Sequence, residues 1–252
     1  MFDIKGKVAI VTGSTKGIGL AIAWQFARSG AKVVISSRKA EVCQQVRDEI
    51  AEAGFEAIAI PCHIGEREQL ENLVAKTVEK WGRVDILVCN AASNPVYGPI
   101  AELPEAAWDK VMDNNVKSPY ILANNIVAPL MAKQGGGSIV MISSIAALRA
   151  SDTLSFYSIS KASEAHLAKN LALHWGPKGI RVNAILPGLV KTDFAKALWE
   201  DPERLERIEN KTPLRRIGQP DDIAGVAHFL ASDASAYVTG QLIVADGGET
   251  IF

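Results

Sequence analysis

A tyrosine and a lysine stand four residues apart in Tyr157-Ser-Ile-Ser-Lys161, and Ser144 lies thirteen residues before the tyrosine. On a helix, residues four apart share a face one turn apart. The phenol and the ammonium then meet in one small volume. A neighbouring cation favours phenolate over phenol and lowers a tyrosine pKa from its reference near 10. Each unit of lowering corresponds to roughly 1.4 kcal/mol of differential interaction. Such a pair can move a proton to or from an alcohol oxygen. Taken alone, the spacing also fits an amphipathic helix with a solvated lysine, so the elements around it decide.

The N-terminal segment is Lys7-Val-Ala-Ile-Val-Thr12, an apolar run rich in β-branched residues. Gly13-Ser-Thr-Lys-Gly17-Ile-Gly19 follows, then Leu20-Ala-Ile-Ala-Trp-Gln-Phe-Ala27 at helical period. This reads as strand, glycine turn and helix. Glycine admits positive φ and close approach of a ligand to the backbone. The helix start offers unpaired N–H groups and a positive dipole end to a phosphate. A second strand, Lys32-Val-Val-Ile-Ser36, closes a βαβ unit of dinucleotide-binding length. The glycine spacing is G-x-x-x-G-x-G rather than G-x-G-x-x-G.

Six motifs in order resemble the short-chain dehydrogenase/reductase family over essentially the whole chain. They are Thr12-Gly13-x-x-x-Gly17-Ile18-Gly19, Asn90-Ala91-Ala92, Asn115-Val116, Ser144, Tyr157-x-x-x-Lys161, and Pro187-Gly188 followed by Thr192. Ala92 departs from the family's Asn-Ala-Gly. Ser36-Ser37-Arg38-Lys39, Cys62-His63-Ile64-Gly65, Asn94-Pro95 and Ser143-Ser144-Ile145-Ala146-Ala147 are similar to NADPH-dependent carbonyl and retinol reductases of peroxisomes. The ending Glu249-Thr-Ile-Phe252 is not a peroxisomal address of the Ser-Lys-Leu type, so that location does not carry over; the three scattered cysteines read instead as those of a cytoplasmic protein.

Alternation of strands and helix-length segments along the chain predicts an α/β fold with a parallel sheet and helices on both faces. The expected strands lie near 7–12, 32–36, 56–60, 83–88, 137–142, 180–185 and 241–245. Helices are expected near 39–53, 66–81 and 155–176, with a long helical region from 104 to 133 interrupted by Pro119 and Pro129. The resemblance implies one Rossmann-fold domain over 1–252, doubly wound, with seven strands ordered 3-2-1-4-5-6-7. In such sheets ligands bind beyond the carboxyl ends of the strands. Gly13, Ser37, Asn90, Ser144 and Pro187 all follow strand ends, so the fold gathers them on one rim.

Cofactor choice is read after the second strand. An acidic residue there accepts from the ribose hydroxyls of NAD. Here Ser37 and Arg38 take that place, and Arg38 can bind a 2′-phosphate bidentately. Lys16 adds a cation in the glycine turn. NADP(H) is therefore favoured over NAD(H). His63, followed by Ile64, stands where the family has an Asp beside the adenine; it either hydrogen-bonds the ring or lines the pocket edge. By resemblance the cofactor is held by Gly13, Ser14, Thr15, Lys16, Gly17, Ile18 and Gly19, by Asn90 and Ala91, by Tyr157 and Lys161, and by Pro187, Gly188, Val190 and Thr192.

The resemblance assigns Ser144 to the substrate oxygen, Tyr157 to the proton, and Lys161 to the tyrosine and the nicotinamide ribose. Asn115 is assigned a water linking Lys161 to solvent. A lid is expected at about 191–213, where Phe194, Leu198 and Trp199 form either an apolar substrate wall or ordinary helix packing. Arg149 either attracts an acidic substrate or is solvated. The reading is an oxidoreductase interconverting a ketone or aldehyde and an alcohol. The alternatives are an NAD-dependent alcohol dehydrogenase of the family and a non-catalytic nucleotide-binding sensor or scaffold.

Bulk properties agree with one globular domain. A chain of 252 residues can bury a sizeable core. Net charge is −1, which gives no ground for nucleic-acid or anionic-membrane partners. No apolar run reaches spanning length, and the N-terminus lacks a secretion signal. Cys43, Cys62 and Cys89 have no ligand spacing and read as reduced thiols, so no metal is expected. The segment Tyr237 to Gly248 resembles the family's subunit-packing tail, which implies a homotetramer, with a dimer second.

Overall fold

In a computed structural model, which describes residues 1–251, the β-branched runs become strands, those inside the sheet buried on both faces and the two edge strands only in part. Parallel strands must be covered this way when their crossovers are helices. The order is β1 (Val8–Thr12), α1 (Gly17–Arg28), β2 (Lys32–Ser36), α2 (Ala40–Glu52), β3 (Ala57–Ala59), α3 (Arg67–Trp81) and β4 (Ile86–Cys89). A long helical stretch follows: α4 (Glu105–Met112), α5 (Ser118–Tyr120) and α6 (Ala128–Lys133), joined by π-helical turns at Asp113–Lys117 and Ile121–Val127. Then come β5 (Gly137–Ile142), α7 (Ser155–Trp175), β6 (Ile180–Pro187), α8 (Lys196–Trp199), α9 (Pro202–Lys211), α10 (Pro220–Ala231) and β7 (Leu242–Ala245).

All seven strands pair in parallel in the order β3-β2-β1-β4-β5-β6-β7. The fold is a doubly wound Rossmann sheet, as expected. Alternation along each strand divides the core. Ile10, Val34, Leu87 and Met141 face α3, the π-helical stretch and α7. Ala9, Val11, Val33 and Ile35 face α1, α2 and α10. β1 and β4 stand side by side at the centre, and β1 is flanked by β2, so the reversal of strand order falls at the glycine turn.

Two elements differ from expectation. Pro119 does not interrupt the long helical stretch. The chain widens into a π turn before it, in which the Asp113 carbonyl accepts from the Ser118 backbone N–H and, at 2.8 Å, from Ser118 Oγ. The helix α10 stands outside the elements bounded from sequence. Its start carries the signals nonetheless: Gln219 and Asp222 form a capping box, with Pro220 at the first helical position.

Candidate active site

The carboxyl ends of the strands open on a cleft of about 1310 Å³. Its cofactor end is built mainly by backbone geometry. Gly13 has φ +67, which turns the chain sharply out of β1. A Cβ at Gly19 would lie 2.4 Å from Asn90 Nδ2 and 2.4 Å from the Gly13 carbonyl oxygen, so only glycine lets the helix start this close. The first turn of α1 has no capping side chain and no acidic residue, which leaves its N–H groups free for an anion.

Side chains brace this turn from behind. Asn90 Nδ2 donates to Thr12 O at 2.9 Å, and Thr12 Oγ1 accepts from the Asn90 and Ala91 N–H groups at 3.0 and 3.1 Å. Ser14 is wholly buried; its Oγ accepts from Ser36 N at 2.8 Å and ties the ends of β1 and β2. Ser14 and Gly19 therefore support the cofactor turn without lining the cleft, whereas Gly13, Thr15, Lys16, Gly17 and Ile18 line it. Their burial behind the turn is the physical reason.

At the far wall, Cys43 Sγ accepts from Ser37 N at 3.1 Å and holds the end of β2. Arg38 lies exposed on the rim and makes no ion pair among the described residues. His63 and Ile64 line the same end. Gly65 N donates to His63 Nδ1 at 3.1 Å, which leaves Nε2 to carry a proton. Lys16 meets Asp193, beyond the end of β6, at 3.7 Å, both side chains being largely solvated. Pro187, Gly188, Val190 and Thr192 form the opposite side.

The candidate chemistry sits at the ends of β5 and α7. Tyr157 and Lys161 share the expected helical face, and Lys161 Nζ lies 5.7 Å from the Tyr157 ring centre. Ser144 ends β5 and faces the same cleft. Asn115 is buried in the π turn. Its Nδ2 donates to Ser93 O at 2.9 Å and to Ser160 Oγ at 3.0 Å, and its Oδ1 accepts from Ser93 N at 2.8 Å. Its side chain is thus engaged as a clamp between the loop after β4 and α7, and it does not line the cleft.

The electrostatics correct one expectation. Burial pushes the Tyr157 phenol above the ordinary tyrosine value. Lys161 pulls it down, as does Ser144, while Glu164 and Tyr97 push it up; the net direction is upward. The cation acts with the expected sign, but desolvation and a neighbouring acid outweigh it. That acid was outside the sequence reading. Glu164 Oε2 accepts from Lys161 Nζ at 2.7 Å. Its signal was nonetheless present: an acid three residues after Lys161 and seven after Tyr157 shares their helical face.

At the substrate end, Phe194 stacks at a tilt over Tyr157, with ring centres 6.0 Å apart, and Leu198 lines the cleft. Trp199 does not form part of that wall. Its indole N–H finds the Thr192 carbonyl at 2.9 Å, which turns the ring away from the cleft and onto Lys191. The cleft is also lined by residues that carry no motif, among them Ser93 and Tyr97 after β4 and Glu249 near the C-terminus. Glu249 pairs with Arg149, so that arginine's charge is already answered. Burial pushes the Cys62 thiol up to about 11 and raises Cys89 further, so neither is a ready nucleophile.

A βαβ glycine turn, a Tyr–Lys pair on α7 and a strand-end hydroxyl share one cleft of a doubly wound sheet. The family profile described as Enoyl-(Acyl carrier protein) reductase matches residues 13–250. Human dehydrogenase/reductase SDR family member 4 is 44% identical over 245 residues, covering 97% of this chain and 88% of that protein. The chain belongs to the short-chain dehydrogenase/reductase family and is an oxidoreductase.

Two solved structures are close in fold. A 7α-hydroxysteroid dehydrogenase complexed with NADH and 7-oxo glycochenodeoxycholic acid superposes with TM-score 0.93 at 41% identity, over 98% of this chain and 95% of that one. A gluconate 5-dehydrogenase from Burkholderia cenocepacia, in complex with NADP and tartrate, superposes with TM-score 0.95 at 32% identity, over 100% and 98%.

Proposed function

We propose that this protein is an NADP(H)-dependent reductase of ketones or aldehydes, working reversibly against the corresponding alcohols, with Tyr157 as the acid–base group. The observation that carries the reading is the meeting of Tyr157, Lys161 and Ser144 in the cleft that also holds the glycine turn. The residues fit a dinucleotide: the uncapped first turn of α1 suits the pyrophosphate, and Lys161 and Pro187 to Thr192 suit the nicotinamide end. When bound, the nicotinamide supplies or accepts the hydride.

The protein's own groups do the rest. Ser144 donates to the substrate oxygen, where charge builds during reduction. Tyr157 gives that oxygen its proton. A phenol held above its ordinary value stays protonated at neutral pH, which suits reduction. Lys161 keeps a positive charge beside it, and Asn115 fixes the helix that carries both. Support for NADP(H) is the pair Ser37 and Arg38: no carboxylate there repels a 2′-phosphate, and Arg38 is unpaired on the rim. One structural neighbour is described with NADP and another with NADH, so the support for NADP(H) is the local charge alone.

The segment 191–213 acts in this reading as a substrate lid, with Phe194 and Leu198 favouring an apolar carbonyl compound. We further place the protein in the cytoplasm, on its three free buried cysteines. Among the described residues, no helix is long and apolar enough to cross a membrane. Assembly as a homotetramer, with a dimer second, rests on the resemblance of the Tyr237 to Gly248 segment to the family's subunit-packing tail. The test is a panel of ketones, diketones and aldehydes followed by loss of reduced nicotinamide. Turnover with NADPH faster than with NADH is expected; none with either cofactor would reject the reading.

A further inference from the structure

The mechanism above uses Tyr157 and Lys161, yet a third ionisable group is buried against them. Lys161 and Glu164 side chains are each only 2% exposed, and the ion pair between them is 2.7 Å long. Lys161 Nζ also donates to the Ile142 carbonyl at 2.8 Å. Two of its three N–H groups are therefore fixed from the strand and from the carboxylate. Ser143 Oγ donates to the Lys161 carbonyl at 2.8 Å and holds the same turn of α7 against β5. An ammonium removed from water requires a partner, and a carboxylate removed from water requires one equally.

The groups facing Glu164 are few. Lys161 and Tyr157 lie on its own helix, and the Cys89 thiol faces the pair from β4. The strand β5 offers no ionisable side chain, and the only one on β6, Arg181, bonds Ser232 and Ser235. In the π turn, Asp113 and Lys117 pair with each other on the exposed surface.

We propose that Glu164 is a positioning residue of the reaction: a buried counter-charge that fixes the Lys161 ammonium beside Tyr157 and makes that pair hold its exchangeable proton to higher pH. This rests on Tyr157 being the acid–base group. Burial pushes the Glu164 carboxyl up to about 7 while Lys161 pulls it back, so above that pH phenol, ammonium and carboxylate stand together and the buried cluster is neutral. Without the carboxylate it carries one positive charge, and its next proton leaves more easily. The Ile142 carbonyl binds a charged Nζ more strongly than a neutral amine, so the proton leaves from the phenol. The consequence is a division of labour. Lys161 pulls Tyr157 toward ionisation and Glu164 restrains it, keeping the phenol a proton donor at neutral pH. The direction of each charge effect on Tyr157 agrees.

Glu164→Gln tests this, because the amide oxygen can still accept from Lys161 while the charge is gone. Two readouts apply. The first needs no cofactor: ultraviolet titration of tyrosinate, with Tyr157→Phe subtracted, isolates the Tyr157 step. The second is the pH dependence of kcat/KM for ketone reduction with NADPH and for alcohol oxidation with NADP+. In Glu164→Gln the tyrosinate step and both kinetic limbs should move to lower pH, so oxidation at neutral pH rises severalfold relative to its own plateau.

Glu164→Asp keeps the charge but lengthens the pair, and should move the same limbs by less. It also serves if the Gln variant does not fold. A folded Gln variant, or in its place a folded Asp variant, with tyrosinate step and limbs at wild-type pH would overturn the proposal, whether or not its rate fell. If Tyr157→Phe turned over like the wild type, the acid–base assignment itself would be at fault; the tyrosinate titration would still judge Glu164.

Discussion

The two ends of the cleft are built from different materials. The cofactor end is backbone: a glycine turn at φ +67, an uncapped helix start, and strand ends tied by Asn90, Thr12 and Ser14. The other end, proposed to take the substrate, is side chains on short helices; Phe194 is 45% exposed, and α9 buries none of its residues. A site made of backbone tolerates few residue types, because sterics set them. A site made of half-exposed side chains tolerates many. One end can keep its chemistry while the other changes its substrate.

The sharpest way to break this contrast is to give the cofactor end a side chain. Gly19→Ala places a methyl group against the Gly13 carbonyl and Asn90, and over-packing of this kind costs about 1–3 kcal/mol. Tm should fall by roughly 5 °C, and affinity for NADPH should fall with it; calorimetry and fluorescence titration check both. A Gly19→Ala protein that melts and binds like the wild type would show that the turn is not sterically fixed.

An effect of similar size, but confined to cofactor choice and leaving the fold intact, is expected at the rim, where a side chain rather than the backbone reads the cofactor. Arg38→Asp removes a charge-assisted contact of about 1.5–3 kcal/mol. NADPH affinity should drop by about tenfold to a hundredfold while NADH gains, as read by the ratio of kcat/KM values. An unchanged ratio would remove Arg38 from the cofactor site. Smallest is the lid. Phe194→Ala deletes a half-exposed ring beside Tyr157, so KM for an apolar ketone should rise about threefold to tenfold with kcat nearly constant. A fall in kcat with unchanged KM would instead place Phe194 in the chemistry.

The same contrast explains what could be read without coordinates. The glycine turn and the Tyr157–Lys161 face were legible because each follows from a local period or a steric demand, whereas the sheet order followed from the family resemblance. The placements of Ser14, Gly19 and Trp199 were not. Whether a residue lines a cleft or braces it depends on neighbours far along the chain, such as Asn90 for Gly19 and the Thr192 carbonyl for Trp199. The sign of the Lys161 effect on Tyr157 was legible, but the net direction was not, since desolvation depends on how deeply α7 is packed. Glu164 had a helical-spacing signal that is easily taken for a surface charge. Glu249 had none, because it reaches the cleft only through the path of the C-terminal tail.

The central claim is that Tyr157 transfers the proton in a cleft whose other parts bind the cofactor independently. Tyr157→Phe removes one oxygen and leaves the helix intact. Single-turnover reduction of a ketone by the variant should slow by about a hundredfold to ten-thousandfold, while fluorescence titration shows NADPH bound within about threefold of wild type. A variant that reduces the ketone at the wild-type rate, with cofactor bound, would contradict the account.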